Sequence, residues 1–468
     1  MSGMPVGVGD VGLVPAGTDE ELGGPARVEV VAPVAGQERM SALDVLRGCA
    51  LLGILVENIT EFGLGQSNYL FPLTTMKPVF SGPHWLANTV LWFVRWVVAE
   101  GKTRALFSMV FGAGIILLTQ RAEARGAAAK VADVYTRRNL WLVLFGLVHA
   151  YLIWEGDILF FYGTAALFLY PFRRLRAGTL IWIAGVVLAL NAVGIDYQQV
   201  YQQAEIQRDA VQARKAYAEH GTVTLAERQM MDFGDRGQSR WRPSKRRMNR
   251  DIAAETAGYW SAQNNDVNKV IDAETTTAYF GWGDWVGMML LGMALVKNGF
   301  LTGKLRTSTY LWSAVIGLGI CWPLVFVGAW KSWVGHFDVI QTSYWMMVPY
   351  TVQRVPGVIG SAALILLVVR AGVLGWLMKA VAAVGQMSLS NYLLTSLSMR
   401  FLMAWGPTHW YGALDYYKLY WIVGCVWVVN LVWSPIWLRY FEFGPMEWVW
   451  RSLSYWKRQP MRRAGSRG

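Results

Sequence analysis

Leu43-Asp44-Val45-Leu46-Arg47-Gly48-Cys49-Ala50-Leu51-Leu52-Gly53-Ile54-Leu55-Val56-Glu57-Asn58 is the stretch around which the rest of the chain is organised. It opens with an acid and a base three residues apart, Asp44 and Arg47, which fall on one face of a helix. An apolar, glycine-containing run follows and ends on Glu57-Asn58, still inside the hydrophobic segment. Ionisable groups are costly in hydrocarbon, and inside a spanning helix they mark a functional site by default. Polar groups at both ends of one such helix point to a protein working on both faces of a bilayer. A snorkelling arginine with its ion-pair partner, plus one helix–helix hydrogen bond, is the plainer account of the same residues.

Composition agrees with a lipid bilayer as solvent. Of 468 residues, 54% are hydrophobic and 16% charged, against roughly 25% charged in soluble domains. The net charge of +12 lies mostly in short loops between apolar runs, as the positive-inside rule expects, so no nucleic acid partner is needed to explain it. The 25 tryptophans suit belts at the two membrane interfaces. Cys49, Cys321 and Cys425 each lie in an apolar segment without metal-ligand spacing, so they read as small core residues, with no disulfide framework and no metal.

Residues 1–39 are rich in Gly, Val and Pro and read as a disordered cytoplasmic tail, with no basic-then-apolar pattern of a cleaved signal peptide. Apolar segments follow at roughly 45–62, 85–99, 104–120, 139–154, 157–172, 178–196, 282–298, 308–328, 346–370, 381–403 and 417–438. Treating 85–99, which contains Arg95, as an interfacial or re-entrant helix puts the basic loops on one side. These carry Arg121, Arg125, Lys130, Arg137, Arg138, Arg173, Arg174, Arg176, Lys304, Arg306, Arg370 and Lys379, and the basic tail 451–468 joins them. The expected fold is therefore an all-α polytopic membrane protein with about ten crossings and both termini in the cytoplasm. It comprises an amino-terminal transmembrane half at 40–196, a soluble extracytoplasmic insertion at 197–280 and a carboxyl-terminal transmembrane half at 281–450. The insertion is expected to be helical in its first part. Its basic cluster around Arg242, Arg246 and Arg250 fits a solvated face or a contact with headgroups. The bacterial cytoplasmic (inner) membrane is the expected location.

His149 lies near the outer end of the 139–154 helix and is followed by the acid-bearing turn Glu155-Gly156-Asp157. A neutral imidazole there could take a proton from a hydroxyl or amine, and a neighbouring carboxylate could fix its tautomer. A hydrogen-bonded core histidine satisfies the same pattern. In the expected topology Glu57, Asn58, Lys102, Arg104, Asp284 and Arg354 reach the same outer level and could enclose one polar cavity. The inner level carries Asp44, Arg47, Arg137, Arg138, Gln386, Ser388 and Asn391, where arginine forks suit phosphate. The run Phe111-Gly112-Ala113-Gly114 fits close helix packing.

The chain resembles a known family. The opening stretch is followed by L-F-S-M-V-F-G-A-G from Leu106 to Gly114 and by G-L-V-H-A-Y-L-I-W-E-G-D-I-L from Gly146 to Leu159. Next come G-M-M-L-L-G-M-A-L from Gly287, S-L-S-N-Y-L-L-T-S from Ser388, and I-W-L-R-Y-F-E-F-G-P-M-E-W-V-W-R from Ile436 to Arg451. In order, and over nearly everything after residue 40, these resemble the YeiB family, whose carboxyl-terminal half is a domain of unknown function. Through its first helix that family is similar to the wider group of transmembrane acyltransferases, including the lysosomal heparan glucosaminide acetyltransferase. The resemblance implies acyl transfer from cytoplasmic acyl-coenzyme A to an acceptor outside the membrane, carried by Asp44, Arg47, Gly48 and Asn58. Where the lysosomal enzyme has its catalytic histidine, this sequence reads Ser67-Asn68-Tyr69, so His149 would supply that group from another helix.

The expected function is thus acyl transfer to a glycan, lipid or small molecule, with acyl-CoA as co-substrate. His149 acts as general base, Asp157 as its orienter, and Asn58, beside Glu57, as donor to the acyl oxyanion. Arg47 and Arg138, with Asp44, hold the coenzyme phosphates, while Arg104, Asp284, Arg354 and Asn391 complete the binding residues. A carrier or exporter of a small solute or lipid, with His149 as proton relay, is the alternative, and a non-catalytic scaffold is the third reading. Oligomeric state is left open by the sequence.

Overall fold

The computed structural model describes residues 42–65, 68–72, 80–124, 128–222 and 224–463, without the side chains of 128–129, 195, 199, 238–241 and 276–280. The expected disordered tail at 1–39, together with Met40 and Ser67, lies outside the described residues. The first half contains α1 (Ala42–Leu64), α2 (Trp85–Val94), α3 (Lys102–Ala124), α4 (Ala128–Leu152), α5 (Leu159–Leu169) and α6 (Ala177–Asn191). The insertion forms α7 (Gln198–His220), α8 (Leu225–Trp241), α9 (Lys245–Thr256) and α10 (Tyr259–Asp272). Then come α11 (Ala278–Lys297), α12 (Thr307–Val334), α13 (Val339–Met346), α14 (Tyr350–Ala371), α15 (Gly375–Gln386), α16 (Ser388–Arg400), α17 (Tyr416–Tyr440) and α18 (Pro445–Tyr455). Among the described residues the fold is all-α, and the β-type pairing found is an isolated bridge between Phe441 and Arg462.

Five helical stretches are long and apolar enough to cross a membrane: Trp85–Ala124, Ala177–Gly194, Thr307–Val334, Tyr350–Ala371 and Tyr416–Tyr440. The chain is thus a helical membrane protein by length and composition. Their outward faces carry large apolar side chains such as Trp312, Trp421, Val428 and Val429, which suits lipid rather than water as the neighbour.

α1 sits at the centre, against α3, α15, α16 and α17. Its contact with α15 is backbone-close: a Cβ on Gly48 would strike the Val381 carbonyl, and one on Gly385 would strike the Asp44 carbonyl. α3 and α11 meet in the same way, Gly112 against Met289 and Gly292 against Met109. Small residues are what let helices approach this closely without a hydrophobic drive between them. Gly114, by contrast, faces open space.

Several expectations are refined. The apolar run 381–403 is not one helix: it turns at Met387 into α15 and α16. Glu447 of α18 causes this by accepting from the Leu389 and Ser390 N–H groups, at 2.6 and 3.2 Å, and from the Ser390 hydroxyl at 2.5 Å. A carboxylate at a helix start satisfies otherwise orphaned donors and complements the helix dipole. The run 346–370 begins at Tyr350, after the separate short α13. Cys321 is buried, but Cys49 is half-buried and Cys425 is exposed on α17, so the latter two are not core residues.

Among its described residues the insertion forms four helices, so helix extends beyond the expected first part. π-turns at Ala192–Tyr197 and Ala273–Thr277 join α6 to α7 and α10 to α11 without a loop. It therefore continues two helices of the bundle. Its far end is tied down as well: Arg242 donates to the carbonyls of His336, at 2.8 Å, and Phe337. The segment 85–99 is α2 plus the π-turn Arg95–Ala99, about 22 Å at ~1.5 Å per residue, short of a hydrocarbon core of about 30 Å. Arg95 is buried and paired with Glu100 at 3.0 Å, so an arginine in this apolar run never faces lipid.

Candidate functional site

The turn between α4 and α5 brings His149 and Asp157 together. Nδ1 of His149 lies 2.9 Å from Oδ1 of Asp157, with both side chains almost fully buried. The other carboxylate oxygen accepts from the Phe160 N–H at 2.7 Å, so the group that caps α5 also stands beside the imidazole. The ring packs against Tyr392 at 4.9 Å and edge-on to Trp154 at 6.4 Å. Neither ring nitrogen completes a hydrogen bond among the described residues: Nδ1 lies at ion-pair distance from Asp157 without hydrogen-bond geometry, and Nε2 has no partner. With its proton on Nδ1, beside the Asp157 carboxylate, the neutral ring would carry its lone pair on Nε2.

Tyr392 is shared with a second feature, a narrow cleft between α1, α16 and α17. Asn58 lines this cleft, whereas Glu57 turns to α3 and accepts from the Thr103 hydroxyl. Adjacent helix residues point about 100° apart, so the two cannot serve one cavity as the sequence reading had them do.

Glu57 belongs to a buried charge network on the α3 side. Asp284 pairs with Arg354, and with Arg104 at 3.7 Å. Tyr350 accepts from Arg104 at 3.2 Å and donates to Glu100 at 3.3 Å. Lys102 donates to the carbonyls of Trp96 and Glu100, at 3.0 and 2.9 Å. Asp196 accepts from the Thr351 hydroxyl at 2.6 Å and faces Arg354. Four acids (Glu57, Glu100, Asp196, Asp284) thus stand against four bases (Arg95, Lys102, Arg104, Arg354). Arg104, Asp284 and Arg354 are together, as expected, but their charges are directed at each other.

Beneath the insertion lies a network that the sequence reading missed. Lys269 of α10 reaches Asp266 at 2.7 Å, Asp251 and Glu255 at 3.6 Å, and Glu155 of the α4–α5 turn at 3.9 Å. Arg400 of α16 holds Glu255 and Asp266, at 2.8 and 2.7 Å. Glu61 of α1 faces Glu155 and Asp266 as well. Five acids meet two bases here. Burial, with the charge of Asp266 added, pushes the Glu155 carboxyl up to about 7. Burial also raises Asp266, against the pull of Lys269 and Arg400. Glu61, one helical turn beyond Glu57, was the available sequence signal for this network.

At the other end of the bundle Arg47 pairs with Asp44 at 3.0 Å and reaches the Gly385 carbonyl at 3.4 Å. The Arg138 guanidinium lies over the Trp450 ring at 3.6 Å, and Trp450 Nε1 donates to the Arg138 carbonyl at 2.7 Å. Arg138 feels the like charges of Arg451 and Arg47. Three arginines from α1, α4 and α18 therefore converge, and Arg451 was read from sequence only as part of a basic tail. Asn391 is elsewhere. Its amide donates to Val384 and Ser434, at 3.2 and 3.0 Å, and accepts from Trp433 at 2.8 Å, so it is engaged within the fold. Among the described residues no group of three or more His, Cys, Asp or Glu could hold a metal ion.

A family model described as "Protein of unknown function (DUF418)" matches residues 295–457, about a third of the chain, which holds α12 to α18. The chain is similar to "Uncharacterized protein YxaH" of Bacillus subtilis (strain 168), 29% identical over 461 residues covering 92% of this chain and 97% of that protein. It is also similar to "Uncharacterized protein YeiB" of Escherichia coli (strain K12), 27% identical over 437 residues covering 89% and 96%. No solved structure matches it.

Proposed function

The chain belongs to the YeiB family, and we propose that it is a membrane-embedded acyltransferase carrying an acyl group from cytoplasmic acyl-CoA to an extracytoplasmic acceptor. The observation that carries this reading is the buried His149–Asp157 pair with an unpartnered Nε2. In the reading, α1, α3, α4, α5, α6, α11, α12, α14, the bent α15–α16 and α17 each cross the bacterial inner membrane, with α2 re-entrant and both termini cytoplasmic. The turn bearing Asp157 then faces outward and the three arginines face the cytoplasm.

The chemistry follows from that placement. Nε2 of His149 takes the proton of an acceptor hydroxyl or amine while the acceptor atom attacks the thioester carbonyl carbon. The Asn58 amide donates to the oxyanion that forms. The carbon–sulfur bond breaks, and the leaving thiolate recovers the proton from His149. Asp157 keeps the ring in one tautomer and stabilises the transient imidazolium. Arg47 and Arg138 bind the coenzyme phosphates, for which the planar guanidinium is suited.

A carrier is the second reading, and the balanced charge network on α3, α11 and α14 supports it as a permeation path. The two separate on one observation. Acyl-CoA at a hundredfold excess over its Kd stabilises a protein that binds it by about 2.7 kcal/mol. Wild-type protein should show the corresponding rise in Tm, and Arg47→Ala should lose it. A carrier of an unrelated solute would show no rise in either protein.

A further inference from the structure

The cleft between α1, α16 and α17 has apolar walls, among them Leu51, Leu55 and Phe62 of α1 and Trp427 of α17. Set into these walls are Asn58, Thr395, Ser396 and Asn430. None of these four side chains has a hydrogen-bond partner among the described residues. Ser396 and Asn430 are 2% and 8% exposed. Asn58 and Thr395 are half-buried, and the four open their polar atoms into the cleft rather than into the protein. Polar groups set in apolar surroundings are usually satisfied by protein, water or a ligand, so four around one apolar cleft point to an occupant that supplies hydrogen bonds.

Two further observations say where that occupant comes from. His149 has no exposed surface, and α10 of the insertion packs against the helix that bears it. Tyr259 of α10 donates to the Leu152 carbonyl at 2.8 Å, while Lys269 and Arg400 fasten α10 to the turn and to α16. The flank of α17 beside the cleft is apolar and outward, with Trp421 at 72% and Val428 at 62% exposure. Tyr392 bridges the two features, packing on the His149 ring and lining the cleft.

We propose that the cleft binds an uncharged amphiphile taken from the bilayer, its acyl chain along α1 and its hydroxyl- or amide-bearing head on Asn58, Ser396 and Asn430. The head is uncharged because no ionisable group other than the Tyr392 phenol lines the cleft. That this molecule is the acyl acceptor, reaching His149 past Tyr392, rests on the acyl-transfer reading. Its binding does not.

The test uses full-length protein in nanodiscs of phosphatidylglycerol with a trace of diacylglycerol carrying a diazirine on one acyl chain. Irradiation should label peptides containing 51–62, 392–396 and 427–430, and unlabelled diacylglycerol should compete. Asn430→Leu should weaken labelling roughly tenfold, as for one lost contact to a buried polar group, and Ser396→Leu should abolish it by filling the space. Labelling spread evenly over the lipid faces of α12 and α17, without competition, would overturn the proposal. So would undiminished labelling in a Ser396→Leu protein of normal Tm. If Ser396→Leu fails to fold, competition in the wild type decides. Cleft labelling without acyl-CoA stabilisation removes the transferase reading and keeps the site, whereas stabilisation without cleft labelling does the reverse.

Discussion

Two regions beside the carboxyl-terminal end of α1 treat charge in opposite ways. On the α3 side, four acids face four bases, and Asp284 is clamped between Arg354 and Arg104. Around the α4–α5 turn, five acids share Lys269 and Arg400, and the neighbouring imidazole keeps an unpartnered Nε2. A balanced buried network holds helices in register, and removing one member leaves an uncompensated charge. An unbalanced one holds protons, and proton-holding groups are where acid–base chemistry and pH sensitivity arise. In the acyl-transfer reading the first region is architecture and the second carries the chemistry.

The largest expected effect breaks the second region. His149→Gln keeps the volume and a hydrogen-bonding group but cannot act as base. Turnover should fall 10²–10⁴-fold, about 3–5 kcal/mol of barrier, while stability changes by only ~1–3 kcal/mol. Lower yield with normal turnover per folded molecule would make the histidine structural. Arg354→Ala breaks the first region and should cost about 3 kcal/mol of stability, because Asp284 keeps only the longer Arg104 contact. Loss of turnover at wild-type Tm would move that network into the site.

Asp157→Asn sharpens the comparison, since it preserves shape and removes only the charge that orients the ring. Its turnover should lie between those of wild type and His149→Gln, and a value equal to wild type would remove the orienting role. The smallest effect is a slope. The Glu155 carboxyl sits at about 7 in the folded protein against 4.5 for an ordinary glutamate. The folded state therefore binds this proton more tightly, and the stability it contributes is present below about 4.5 and lost as pH rises through about 7. Glu155→Gln should flatten the decline of Tm between those values, and an unchanged slope would show that Glu155 is already ionised.

Much of this was legible in residues close in sequence. Asp44 and Arg47 pair because their spacing of three places them on one helix face, and His149 meets Asp157 because a tight turn follows its helix. What stayed hidden depends on distant chain. Arg400 pairs with Asp266 across 134 residues, and the bend at Met387 is imposed by Glu447 from 57 residues beyond Ser390. No local periodicity carries either fact. The separation of Glu57 from Asn58 was in reach, because adjacent helical residues diverge by about 100°, but equal depth in the membrane suggested a common cavity.

The central claim is tested most directly with radiolabelled acetyl-CoA supplied to the cytoplasmic face of membrane vesicles from a strain lacking the chromosomal copy. Vesicles containing the wild-type protein should incorporate label into a membrane-borne product. Those with an equal amount of folded His149→Gln should incorporate it 10²–10⁴-fold more slowly. Equal incorporation by both proteins, or none above vesicles without the protein, would contradict the account.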